Sequence, residues 1–305
     1  MKENWTDCIR EFKNYLKIER SLSDNSITAY MTDINKLYDY CDRQDPAIMP
    51  QDVTFSDLRD FIKWLGIDNP RSQSRVLSGI RSFYRYMSLE GKISENPASL
   101  LESPRTGIRL PDVLSVEEID RIISSIDLSK PEGQRNRAII ETLYGCGLRV
   151  SELIGLRLSD IHFKHEYLSV TGKGDKQRLI PINKSTIKEI EYYIQDRKQL
   201  KTIFDKNILF LNRRGRKLSR IMIYTIVREY CETAGIKKKV SPHTFRHSFA
   251  THLVQAGADL RAVQEMLGHE SILTTEVYTH IDRVYLRETI GLYHPRSSGR
   301  SRTKR

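Results

Sequence analysis

The sequence predicts a mainly helical protein with two domains, the first built from four helices and the second mostly helical with a small antiparallel sheet. A chain of 305 residues, 39% of them hydrophobic, has the length of about two domains. Apolar residues recur at helical spacing through the first hundred positions, and two short β-prone runs follow in the second part. A proline-rich stretch indicates where the first domain ends.

Three of the four N-terminal helices show ordinary core-facing stripes. The second begins after Ser23-Asp24, which resembles a helix cap, and the third stops at Gly66. The stripes consist of Ile9, Phe12, Tyr15 and Leu16, of Ile27, Tyr30, Ile34 and Leu37, and of Leu58, Phe61, Ile62 and Leu65.

The fourth helix, from about Arg71 to Met87, has two contrasting faces. At 100° per residue its apolar residues share one arc and four arginines share the other. No acidic residue occurs between positions 71 and 88, so the arginines have no partner within the helix. A solvated face is one interpretation, and we favour the other, contact with phosphates. The apolar arc holds Val76, Leu77, Ile80, Phe83, Tyr84 and Met87, and the basic arc holds Arg71, Arg75, Arg81 and Arg85.

The domain boundary is predicted from composition. Between Glu95 and Pro111 the chain holds three prolines and a glycine without periodicity, which is typical of an extended linker. Ser115-Val-Glu-Glu118 then has the pattern of a capping box at a new helix. We therefore expect domains at residues 1–104 and 113–296, a linker at 105–112, and a disordered, Ser/Arg/Lys-rich tail at 297–305.

Two sheet signals occur in the second domain. The β-prone runs Tyr167–Thr171 and 178–182 flank a glycine-containing turn, which predicts a hairpin with Lys173 at its tip. The run 208–212 predicts a further strand, and it is followed by a basic turn suited to contact a polyanion through Arg213 and Arg214.

Charge is distributed unevenly along the chain. The first 100 residues carry 14 Lys+Arg and 15 Asp+Glu, whereas the remaining residues carry 36 and 24. This excess favours a polyanionic partner, although a basic surface also aids solubility. No run approaches the roughly 20 apolar residues of a membrane helix, and the first residues lack a signal peptide's apolar stretch. We therefore expect a cytoplasmic protein without a membrane partner.

Several residues of the second domain suggest chemistry. Arg149 follows a glycine-broken helix end, and Glu152 lies one turn later, a pair that by itself is more often structural. His243 and Arg246 follow Ser241-Pro242, so both should project from the first turn of a helix, where free amides favour an anion.

Zinc is the competing interpretation of His243 and His247, which are four residues apart. An HExxH site would need Glu at position 244, where this chain has Thr, and no third ligand is evident, so we expect no metal. The four cysteines are scattered without a CxxC pair. Cys146 lacks a base and is better explained by packing between glycines.

The order Arg149, Lys173, His243, Arg246, His269, Tyr278 is more specific than any single motif. These residues stand in GLRVSEL, GKGDK, HTFRHSFATHL and LGHESILTTEVYTH. In this order the chain resembles the tyrosine recombinase, or integrase, family. Its segment ERSLSDNSITAYMTDI is similar to the family's SAM-like core-binding domain, and its ending is similar to that of the chromosome-dimer resolvases of the Xer group.

The resemblance implies a site-specific DNA recombinase that needs neither a cofactor, a metal nor ATP. Tyr278 would attack the scissile phosphate to give a 3′-phosphotyrosyl linkage. Arg149 and Arg246 would clamp the nonbridging oxygens while Glu152 orients the former, and Lys173 would protonate the leaving 5′-oxygen. The remaining roles would be acid/base action by His243 and hydrogen bonding by His269.

The resemblance also implies the partners: double-stranded DNA, other recombinase subunits in a homo- or hetero-tetramer on two sites, and a septal DNA translocase. It implies further that the terminal residues Val284, Leu286, Ile290 and Leu292 dock on a neighbouring subunit. A mobile-element integrase or DNA invertase of the same family stays an alternative to dimer resolution. A non-catalytic DNA-binding protein would lack Tyr278 or an arginine, and a metal-dependent nuclease would need clustered acids at ligand spacing.

Overall fold

A computed structural model describes residues 4–104, 112–172, 177–268 and 280–297, with backbone only for 280–284. The chain divides into two compact units, Met1–Arg109 and Leu110–Arg305. Among the described residues, no helix combines the length and the apolar character needed to cross a bilayer.

The first unit contains the four predicted helices. Each helix begins after a residue whose side chain accepts a hydrogen bond from the first turn: Asn4, Ser23, Thr54 or Asn69. Pro70 occupies the first position of the fourth helix, where its missing N–H costs nothing. The helices are α1 Trp5–Ile18, α2 Asp24–Asp42, α3 Phe55–Trp64 and α4 Pro70–Leu89.

Helix α4 buries its predicted apolar arc in the core of the first unit. All six residues of that arc are buried, and Phe83 packs edge-on against both Phe12 and Tyr84. Ala98 and Leu101, beyond the helix, also belong to this core. The packing therefore turns the arginine side of α4 away from the core.

The second unit is mostly helical around the buried helix α6, which packs against α5, α7, α8 and α10. The capping box predicted at Ser115 is present, with Glu118 as its third residue. The helices are α5 Val116–Ser124, α6 Gly133–Gly145, α7 Val150–Gly155, α8 Lys184–Lys198, α9 Arg220–Thr233, α10 Pro242–Gln255, α11 Leu260–Leu267 and α12 His280–Tyr293.

The sheet has three antiparallel strands, β1 Ile161–His162, β2 Tyr167–Thr171 and β3 Gln177–Pro181, in the order β1-β2-β3. Strands β2 and β3 form the predicted hairpin, with Thr171 opposite Gln177. The prediction of a strand at 208–212 was wrong. This segment makes only isolated bridges, because its two ends pair with different parts of the chain, Ile208 with Arg157 and Leu211 with Lys217, while Leu209 and Phe210 pack into the core.

Helix α12 packs on its own unit. Leu286 and Ile290 are buried in the core, where α12 contacts β3, α10 and α11, whereas Leu292 is exposed. We expected these residues to dock on a neighbouring subunit, and in this structure the two buried ones are instead covered by their own chain. Val284 lies among the residues whose side chains are outside the description.

Candidate active site

The turn between α6 and α7 presents Arg149. Gly147 has φ +59°, and a Cβ there would lie 2.6 Å from the ring of Phe249, so only glycine fits. This tight turn aims the Gly147 carbonyl at Arg246, whose Nη1 donates to it at 2.7 Å. Arg149 follows two residues later, immediately before α7, with 40% of its side chain exposed.

Glu152 lies at the centre of a cluster of three arginines. It accepts the backbone N–H of Arg149 at 2.7 Å and Nη1 of Arg149 at 2.9 Å. Arg178 donates to both carboxylate oxygens, with Nη1 2.8 Å from Oε1 and Nη2 2.9 Å from Oε2. Nη1 of Arg246 lies 3.9 Å from Oε2. The predicted pairing of Glu152 with Arg149 is therefore present, within a larger network.

The carbonyls at the end of α11 bind the same arginines. Arg178 Nε donates to the carbonyl of Met266 at 2.9 Å, Arg246 Nη2 donates to that of Leu267, and Arg149 Nη2 donates to that of Gly268 at 3.1 Å. The last carbonyls of a helix are free acceptors at the negative end of its dipole, so they suit cations. We call Arg149, Glu152, Arg178, Arg246 and these three carbonyls the arginine cluster.

Burial and the neighbouring charges shape the electrostatics of the arginine cluster. Burial alone would raise the pKa of Glu152, but the hydrogen bonds and charge of Arg178, with the bonds from Arg149, outweigh it and lower the pKa. Burial and the charge of Arg149 lower the pKa of Arg246 to about 10, so this guanidinium stays charged at neutral pH. Three guanidinium groups thus face one carboxylate. The arginine cluster therefore has a net positive charge, which favours the binding of a second anion.

His243 and Arg246 share the first turns of α10, as predicted from Ser241-Pro242. His243 is exposed and Arg246 is buried. Partial burial and the positive charges of Arg246, His247 and Arg149 lower the pKa of His243. Its imidazole is therefore mainly neutral at pH 7, a state that can accept a proton.

Three of the six predicted residues, Lys173, His269 and Tyr278, lie outside the described residues. Lys173 is next in sequence to Gly172 after β2, and His269 is next to Gly268, whose carbonyl belongs to the arginine cluster. The structure thus brings together Arg149, Glu152 and Arg246, and it places His243 on the helix that carries Arg246.

Sequence reasoning missed Arg178. It alternates with Ile180 along β3 and faces Val170 in β2, so it lies on the buried side of the hairpin. A cation on an apolar face needs an acidic partner. That alternation was a usable signal, although it did not name Glu152 as the partner.

The arginines expected to contact a polyanion differ in their surroundings. On α4, Arg75 is paired with Asp33, and Arg81 donates to Ser103 Oγ and to the carbonyl of Leu101, whereas Arg71 and Arg85 are exposed. In the basic turn after Leu211, Arg213 is paired with Glu132 but remains mostly exposed, and Arg214 is exposed.

The described part of the chain contains no observation that supports a zinc site at His243 and His247. There, no three His, Cys, Asp or Glu side chains are grouped so that they could hold a metal ion. His243 and His247 thus have no third ligand among these residues.

Comparison with known proteins identifies the family. The phage integrase family matches residues 112–284, and the phage integrase N-terminal SAM-like domain matches residues 9–91. The chain is 38% identical to the tyrosine recombinase XerD of Listeria monocytogenes and 41% identical to that of Staphylococcus haemolyticus, in each case over 95% of this chain and 99% of the relative.

A solved structure has the same fold. The XerH site-specific recombinase bound to its difH substrate, in a pre-cleavage complex, is 21% identical and superimposes with a TM-score of 0.70 over 89% of this chain and 92% of that one. The predicted fold, a SAM-like helical domain followed by a mostly helical domain with a small sheet, is confirmed by these matches. The chain belongs to the phage integrase family and is a tyrosine recombinase.

Proposed function

We propose that this recombinase cuts and rejoins double-stranded DNA at specific sites through a 3′-phosphotyrosyl intermediate on Tyr278, in Xer-type resolution of chromosome dimers. The observation that carries the proposal is the arginine cluster, in which Arg149 and Arg246 both lie beside Glu152. Guanidinium forks suit the nonbridging oxygens of a phosphate and offset the charge that develops during attack.

The other roles follow from the chemistry of the step. The Tyr278 oxygen forms a bond to phosphorus as the bond to the 5′-oxygen breaks, and the tyrosine proton must leave while the 5′-oxygen gains one. His243, whose pKa is lowered by partial burial and by its cationic neighbours, is suited to accept the first proton. Lys173 is the proposed donor of the second, and His269 a proposed hydrogen-bond donor to the phosphate. Because the phosphotyrosyl bond preserves the energy of the broken one, no ATP is required.

The assignment to dimer resolution is supported by the relatives. Proteins named XerD match almost the whole chain at 38% and 41% identity. We propose that the protein acts on two DNA sites in a homo- or hetero-tetramer, in the cytoplasm, and that a septal DNA translocase activates it. The exposed arginines Arg71, Arg85, Arg213 and Arg214 are proposed to contact DNA phosphates.

One experiment tests both the chemistry and the biological role. The chain is expressed in its own cell, covalent protein–DNA adducts are trapped with SDS, and the attached DNA is sequenced. Wild type should give adducts at one chromosomal site, whereas Tyr278→Phe should give none and Tyr285→Phe, a matched exposed tyrosine, should behave as wild type. Adducts at the ends of mobile elements would assign the protein to integration instead, and adducts formed by the Tyr278→Phe variant would exclude this nucleophile.

A further inference from the structure

We propose that Arg178 is a positioning residue of the recombination reaction: it saturates Glu152 and fixes the end of α11, so that Arg149 and Arg246 stay available to the phosphate. This inference rests on the function proposed above. Only 7% of the Arg178 side chain is exposed, against 40% for Arg149, so Arg178 acts through its neighbours rather than on DNA.

The first part of the argument is the saturation of Glu152. Its carboxylate accepts four N–H groups, two from Arg149 and two from Arg178. A carboxylate offers about four lone-pair positions, so Arg178 fills half of them. If Arg178 lost its donors, Glu152 would have acceptor capacity to spare with Arg246 Nη1 only 3.9 Å away. Glu152 would then compete with the phosphate for both of the other arginines.

The second part is charge. Three guanidinium groups against one carboxylate leave the arginine cluster with two positive charges. Removing the charge of Arg178 leaves one. The cluster would then match a phosphodiester, with a single negative charge, but not the additional charge that develops as the phosphate is attacked.

The third part is the contact between Arg178 and α11. Gly268 ends α11 with φ +63°, and a Cβ there would lie 3.0 Å from Cδ and 3.2 Å from Nε of Arg178. The glycine thus allows the helix end to pack directly on the Arg178 side chain, whose Nε binds the carbonyl of Met266. The chain continues from this helix end to His269 and Tyr278.

The first test does not depend on activity. Arg178→Met keeps the apolar length of the side chain and removes its donors. The matched control is Arg197→Met, because Arg197 is an equally buried arginine that donates to the carbonyls of Lys206, Ile208 and Leu209. In hydrogen exchange of the whole chain, Arg178→Met should speed exchange of the α11 amides and leave α9 as in wild type. Unchanged protection of α11 would overturn the proposal.

The second test separates positioning from general damage. A methylphosphonate at the scissile position replaces one charged oxygen by a neutral methyl group, so it demands less positive charge. At saturating DNA, Arg178→Met should slow adduct formation roughly 10- to 100-fold on phosphate, less than the roughly 10²- to 10³-fold cost of losing a direct oxyanion donor. The loss on methylphosphonate should be several times smaller. Arg197→Met should affect both substrates alike, and equal losses with Arg178→Met would contradict the proposal.

A second substitution guards against misfolding. In Arg178→Met with Glu152→Gln, the buried carboxylate that has lost half of its hydrogen bonds is gone and two positive charges are restored, so the double variant should fold and cut phosphate DNA faster than Arg178→Met alone. A double variant slower than Arg178→Met would argue against charge compensation. If wild type formed no adduct, the proposed function would fail while the exchange experiment still reported on Arg178.

Discussion

Arg75 and Asp33 form an ion pair across the first unit, with Nη1 of Arg75 2.5 Å from Oδ2 of Asp33. Asp33 is fully buried, and burial raises its pKa against the opposing effect of Arg75. The arginines of α4 therefore fall into two groups. Arg75 and Arg81 are bound within their own unit, whereas Arg71 and Arg85 are exposed, and these two are the proposed DNA contacts.

This division gives the first prediction. Arg71→Ala with Arg85→Ala should weaken DNA binding and flatten the slope of log affinity against log salt by about 0.9 for each lost contact, with the melting temperature unchanged. Arg75→Ala should instead lower the free energy of unfolding by about 1–3 kcal/mol, because it leaves a buried acceptor without its partner. Salt titration of binding and thermal unfolding measure the two effects, and an unaltered salt slope in the first variant would mean that this face is only solvated.

The second prediction concerns Lys173. If it protonates the leaving oxygen, Lys173→Ala should slow cleavage roughly 10²- to 10⁴-fold. DNA with sulfur at the 5′-bridging position should restore most of the rate, since a thiolate leaves without a proton. Arg149→Ala is the control, because its defect lies in charge stabilisation and sulfur should not repair it. Rescue of Arg149→Ala but not of Lys173→Ala would refute the role.

The third prediction concerns the pH dependence of cleavage. The pKa of His243 is lowered from 6.5 by partial burial and by Arg246, His247 and Arg149. If neutral His243 accepts the tyrosine proton, the rate of adduct formation should rise with pH through a value below 6.5 and be level at about pH 7. His243→Ala should remove this acid limb. A limb centred above the ordinary histidine pKa, or one that persists in the variant, would assign the proton transfer to another group.

The fourth prediction concerns the effect of His294 on the stability of the folded protein in acid. His294 is buried, its ring centre lies 4.9 Å from that of Tyr144, and burial lowers its pKa from 6.5 to about 3. The folded state keeps this ring neutral while the unfolded chain protonates near pH 6.5. The contribution of His294 to the free energy of unfolding is therefore complete above the pKa of the unfolded chain and is lost as the pH falls toward the pKa of the folded state. At roughly 1.36 kcal/mol per pH unit, the loss is about 2 kcal/mol at about pH 5.

His294→Phe removes this loss, because phenylalanine does not titrate and the site is lined by Tyr144 and Phe249. Urea unfolding at neutral pH and at about pH 5 should show a smaller decrease for the variant than for wild type. Burial raises the pKa of Glu141 to about 7, so this carboxyl group makes the folded state more stable as the pH falls, opposite to His294. Glu141 is present in both proteins, and its effect cancels in the comparison. Equal decreases would show that His294 is not held neutral.

The sequence alone predicted the features that depend on neighbours along the chain. The buried arc of α4, the capping box at Ser115 and the start of α10 at Pro242 each follow from spacing within a few residues. The pairs Arg178–Glu152 and Arg75–Asp33 join positions 26 and 42 residues apart. Periodicity shows that such an arginine needs a partner, but the partner is chosen by the packing of helices and strands that local patterns do not encode.

The like charges in the arginine cluster also affect the free protein. Arg149, Arg178 and Arg246 repel one another, and Glu152 with the three carbonyls of α11 offsets only part of that repulsion. A small anion that enters the cluster binds the folded state and not the unfolded chain, so mass action favours folding. Inorganic phosphate should therefore raise the melting temperature more in wild type than in Arg149→Ala, and this difference, from which the general stabilisation by phosphate cancels, reports on the occupancy of the site.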